Sequence, residues 1–130
     1  MKHLRIELGL ACKNSKNFID MLAVYLGHHL EINLGTDANP LYNFGTNTAI
    51  VDFHIHYLKH GKLRGLLPDT YINGNMRITL DSGWDWIEID LEGLSEKDIS
   101  MHIASIKFFI KEIEETNPEM FGEFNPSERD

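Results

Sequence analysis

Cysteine is nearly absent: Cys12 is the single one in 130 residues. No intrachain disulfide can form, and an all-cysteine zinc site is excluded. The usage fits a reducing cytoplasm, which is the expected compartment. No apolar run is long enough to span a bilayer. Lys2 and Arg5 are followed by alternating polarity instead of a continuous apolar stretch, so no secretory signal is expected. Cations are also scarce, with 12 Lys/Arg against 20 Asp/Glu and a net charge of −8. Residues 1–65 hold seven Lys/Arg and five Asp/Glu, whereas residues 66–130 hold five and fifteen. A polyanion such as nucleic acid is a poor ligand for such a chain. A basic protein is a better one, because opposite fields speed encounter and penalise wrong partners. Acidic residues also serve solubility alone, which accounts for the total more readily than for its lopsidedness. Gly35 and Gly45 lack the spacing and the following Lys-Ser/Thr of a phosphate loop.

What is present is periodicity. Leu4, Ile6, Leu8 and Leu10 alternate with polar residues or glycine, as in a half-buried strand. Asn14 or Ser15 then caps a helix to about His29, with Phe18, Met21, Leu22, Tyr25, Leu26 and His29 as its buried stripe. Residues 35–48 read as a loop, anchored by Leu41, Tyr42 and Phe44. Residues 49–59 fit a strand or a helix, and their β-branched and aromatic content favours the strand. Lys59 to Lys62 would turn into Leu63–Leu67. Asn73-Gly74, a strong hairpin dipeptide, would join Tyr71-Ile72 to Met76. Met76, Ile78 and Leu80 alternate, and so do Ile87, Ile89 and Leu91 after a turn at Ser82-Gly83. Ser95 caps a second helix whose stripe is Ile99, Ile103, Ile106, Ile110 and Ile113. These elements predict an α+β fold. A single, mostly antiparallel sheet of about five strands would carry the two amphipathic helices. Residues 1–116 would form one domain and residues 117–130 a loose acidic tail. Met120, Phe121 and Phe124 could pack back, over the tryptophans in one arrangement.

Two groups of residues bear on function. If Ile87 and Ile89 face the core, Trp84 and Trp86 share the opposite face with Glu88 and Asp90, next to Asp81 and Asp85. Tryptophan among carboxylates is the composition of a binding hot spot. The bland reading is a small second core under a loop, since large aromatics are seldom left bare. The other group is Asp52-Phe53-His54-Ile55-His56. Two imidazoles and a carboxylate on one strand face are what a divalent metal needs, and Asp-x-His-x-His is similar to the metal-binding first strand of amidohydrolase-type hydrolases. Those enzymes need a full barrel and later ligands that 130 residues cannot hold. Their activity is therefore not carried over, and a small metal-dependent enzyme using Asp52, His54 and His56 stays an alternative.

The stretch Ile78-Thr79-Leu80-Asp81-x-Gly83-Trp84-x-x-x-Glu88-Ile89-Asp90-Leu91-x-Gly93 resembles a hairpin of some immunity proteins of bacterial polymorphic toxin and contact-dependent inhibition systems. The resemblance covers about sixteen residues. It implies a small, acidic, cytoplasmic, non-enzymatic protein that neutralises a basic toxin, such as a nuclease, by occlusion. The expectation is a partner-binding site at Asp81, Trp84, Asp85, Trp86, Glu88 and Asp90, with no cofactor, no nucleic acid and no membrane partner. A structural adaptor, for example a homodimer through a sheet edge, is the third reading.

Overall fold

The alternating segments become strands, the first of them ending at Glu7, short of Leu8 and Leu10, and both helices start at the expected caps. The computed structural model describes residues 1–63 and 65–122. In chain order the elements are β1 (Lys2–Glu7), α1 (Ser15–Leu34), β2 (Leu41–Phe44), β3 (Thr48–Lys59), β4 (Thr70–Asp81), β5 (Trp86–Glu92) and α2 (Glu96–Thr116). The five strands form one antiparallel sheet in the order β1-β5-β4-β3-β2. β1 and β2 are its edges.

One face of the sheet is the core. Ile6, Val51, Phe53, Ile55, Met76, Ile78, Leu80, Ile87, Ile89 and Leu91 are buried there. The helices lie over them with Phe18, Ile19, Leu22, Leu26, Leu30, Ile106, Ile110 and Ile113. This removal of apolar area from water is the main term holding the layers together. Asn14 caps α1 by accepting the Asn17 N–H at 3.1 Å, and the Ser95 hydroxyl accepts the Asp98 N–H at 3.2 Å. α1 runs past His29 to Leu34. It ends at Gly35, whose φ of 61° allows the left-handed closure with Gly35 N bonded to Glu31 O and Thr36 N to Leu30 O.

Several expectations need correction. The buried stripe of α1 is rotated toward Ile19, Ala23 and Leu30, while Met21, Tyr25 and His29 lie at its flank. That flank meets α2, where Tyr25 stacks on Phe109 with centroids 5.5 Å apart. Residues 41–44, read as loop, form edge strand β2, and Leu63–Leu67 forms no strand. Asn73-Gly74 is not a turn: β4 runs unbroken through it. Glycine is needed there because a β-carbon would sit 2.5 Å from the Glu92 carbonyl oxygen and 2.8 Å from Leu94 Cδ2. Trp84 lies in the turn before β5, which begins at Trp86.

The first part of the expected loose tail is ordered against the body. Pro118–Met120 forms a 3-10 turn, and Met120 and Phe121 are buried. Phe121 meets Phe18 edge-on at 5.7 Å, and residues 11–13 bond to residues 120–122. Phe124 and the rest of that segment lie outside the described residues.

Candidate functional site: the helix-free face of the sheet

A strand directs alternate side chains to opposite faces. Burying one set on the helices therefore sends the other set outward. Among the described residues no helix or strand packs on that second face. Register places Thr48 opposite Asp81, Asp52 opposite Arg77 and His54 opposite Asn75. Arg77 in turn stands opposite Asp90, and Thr79 opposite Glu88. Asp90 and Glu88 face His3 and Arg5. The two groups singled out from the sequence, the tryptophan–carboxylate group and the Asp-x-His-x-His group, thus occupy one continuous surface.

The tryptophans occupy one end of that surface. Trp84 and Trp86 stack with centroids 4.6 Å apart and planes 15° from parallel. Trp84 packs partly against the core, whereas Trp86 is half-buried beneath Arg5, whose guanidinium carbon lies 4.3 Å from the ring centroid. The Trp86 indole Nε1 is buried without a hydrogen-bond acceptor. Asp85 is exposed beside the pair, and Asp81 accepts a hydrogen bond from the Thr48 hydroxyl. Glu88 lies 3.9 Å from both Arg5 and His3, and Asp90 lies 2.6 Å from His3 Nδ1.

The centre holds a two-pronged ion pair. Arg77 Nε donates to Asp52 Oδ1 at 2.7 Å and Arg77 Nη2 to Asp52 Oδ2 at 3.1 Å. The Asp52 carboxylate raises the Arg77 pKa above its ordinary value. A depression of about 590 Å³ opens around this pair, bordered by His54, Asn75, Asp90 and Glu92.

The side chains of the histidine group have partners within the sheet. Asp52, His54 and His56 do share a face, but Asp52 is engaged by Arg77. His54 Nδ1 lies 3.3 Å from Asn75 Oδ1. His56 stacks between His54 and Tyr71, at 6.2 and 5.5 Å. Among the described residues no group of three or more His, Cys, Asp or Glu is placed to hold a metal ion. His29 and His102 belong to the helix layer, on the other side of the sheet. His29 lies 3.1 Å from the Ser105 hydroxyl. Cys12 is fully buried, and that burial pushes its thiol up to about 11, the state of an unreactive cysteine.

One buried polar cluster has no signal in the apolar periodicity. Asp98 and His102, one turn apart on α2, are buried. The Ser95 hydroxyl donates to Asp98 at 2.9 Å. The Tyr57 hydroxyl reaches the same carboxylate, and burial with this contact pushes its pKa up to about 12. Burial lowers the His102 pKa against an opposing pull from Asp98, and His102 Nε2 has no partner. The Ser-x-x-Asp spacing could have flagged Asp98 as part of a cap. The burial of His102 follows only from helix packing.

No helix among the described residues is long and apolar enough to cross a membrane. Comparison of the chain with family models, with curated proteins and with solved structures gives no match.

Proposed function

We propose that this protein is a non-enzymatic acidic binding protein that neutralises a basic protein partner, most concretely a toxin nuclease, by covering its active site. The observation that carries the reading is the sheet face on which no described helix or strand packs, with Asp81, Trp86, Glu88 and Asp90 on paired strands and Trp84 stacked behind. A face built on paired strands is already ordered, so binding to it incurs little ordering entropy. The carboxylates suit a surface that evolved to grip phosphate, and the aromatic pair supplies area to desolvate. The hairpin resemblance to toxin-system immunity proteins supports the same class, with the toxin itself left open.

The test is a tagged pull-down from host lysate at low and then high salt. A stoichiometric basic protein, released by salt, is the expected result. Replacing Trp84 and Trp86 by Ala should then weaken the complex by about 2 kcal/mol or more. Unchanged affinity in a variant that keeps its circular dichroism spectrum would rule out this face.

A further inference from the structure

The far end of the sheet has the opposite chemistry. β3 pairs with β2 only through Asp52, and β4 pairs with β5 only from Asn75 onward. Beyond those points the two strands continue as a two-stranded arm to Lys59 and Thr70. Leu58 and Tyr71 are exposed on the arm, and Leu63, Leu66 and Leu67 are exposed in the turn that closes it. Leu66 is 81% exposed. Leu63 has a φ of 60°, a left-handed conformation that a leucine disfavours. The described residues here carry Lys59 and Lys62, with His60 beside them, against one carboxylate, Asp69, in a chain of net charge −8. Asp69 is spent on the turn itself: it accepts the Gly61 N–H at 2.6 Å and lies 3.6 Å from His60. Lys59 and Lys62 are exposed, with no ion-pair partner among the described residues.

We infer that this arm docks on an anionic lipid surface, its leucines entering the headgroup boundary and its lysines pairing with lipid phosphates. The turn presents an apolar tip with cations beside it and an amphipathic tyrosine behind, the composition of an interfacial anchor. Its charge is complementary to anionic lipid. The Trp84–Trp86 end, at the opposite end of β4, carries Asp81 and Asp85 and would point away from that surface. A second copy seated tip to tip would bring lysine against lysine, so self-pairing is disfavoured. The expectation of no membrane partner rested on the lack of a spanning segment, and surface docking needs none. The inference is independent of the toxin reading, because it uses a different surface.

The test is co-sedimentation of the full chain with phosphatidylcholine vesicles, with and without phosphatidylglycerol. Binding is expected only to the anionic vesicles, falling with salt. Lys59→Glu/Lys62→Glu should reduce it by more than the roughly fivefold typical of one lost cation. Leu66→Ser/Leu67→Ser should reduce it at least tenfold while leaving the circular dichroism spectrum unchanged. A Leu66→Trp variant in a Trp84→Phe/Trp86→Phe background should be quenched by brominated lipid, whereas the native tryptophans should not. No co-sedimentation, equal binding to neutral vesicles, or binding indifferent to the tip substitutions would each overturn the inference. So would self-association through the tip without lipid binding, which would make the arm a protein contact.

Discussion

At the scale of single residues, two positions carry constraints that their neighbours in sequence do not reveal. His102 is buried with its pKa lowered, chiefly by desolvation. In the unfolded chain a histidine titrates near 6.5. As pH falls below that value the unfolded state takes up a proton that the folded state resists. Stability is therefore held above about pH 6.5 and is lost as pH falls toward the folded value. The carboxylate of Asp98 moderates this loss by favouring the imidazolium. Chemical denaturation on either side of the unfolded value should show lower stability at acid pH, and His102→Phe should flatten that slope relative to the wild type. Gly74 carries the second constraint. With the Glu92 carbonyl oxygen at the end of β5 2.5 Å from a would-be β-carbon, Gly74→Ala must move a main chain. A loss of about 2 kcal/mol is expected in urea denaturation. From sequence alone Asn73-Gly74 reads as a hairpin, because glycine answers equally to positive φ and to close approach. Only the chain crossing at Glu92 to Leu94 distinguishes the two.

At the scale of elements, the strands fall into a well-supported centre and a poorly supported arm. Met76, Ile78 and Leu80 of β4 are fully buried, Met76 and Ile78 between β3 and β5 and Leu80 beside β3. Residues 58, 59, 70 and 71 pair only with each other, outside the reach of β2 and β5, and are exposed, whereas Tyr57 and Ile72 still pack on the core. Local opening costs least where buried apolar contacts are few. Hydrogen exchange followed by mass spectrometry should exchange the peptide spanning 58–71 well before the one spanning 76–80. Equal protection of the two would mean the arm is covered in solution. The helices are the most legible elements, since Asn14 and Ser95 are local cap signals and isoleucines at steps of three and four mark the buried side of α2. The rotation of the α1 stripe was not legible. Tyr25 and His29 are apolar enough to read as core, yet they meet Phe109 and Ser105 of α2 at the rim.

At the scale of the whole molecule, the two ends of β4 expose different chemistry. One end carries Asp81, Asp85 and the tryptophan pair, and the other carries the leucine-rich turn with Lys59 and Lys62. A protein that meets a basic partner by its acidic end should associate faster at low ionic strength. Stopped-flow measurement with the partner from the pull-down should show an association rate falling steeply with salt and a dissociation rate changing little. A salt-independent association rate would remove the electrostatic part of the proposal. The sequence by itself determined the α+β class, the positions of both helices, the central alternating strands and the acidic second half. Each is set by residues a few positions apart, and local periodicity reports them directly. The tertiary structure alone decided that Asp52 is held by Arg77 and that His56 stacks on Tyr71. It also decided that Asp98 and His102 are buried, and that both candidate groups share one face on which no described helix or strand packs. Those outcomes depend on strand register and layer packing, which bring together residues tens of positions apart, and no local pattern encodes which of them will meet.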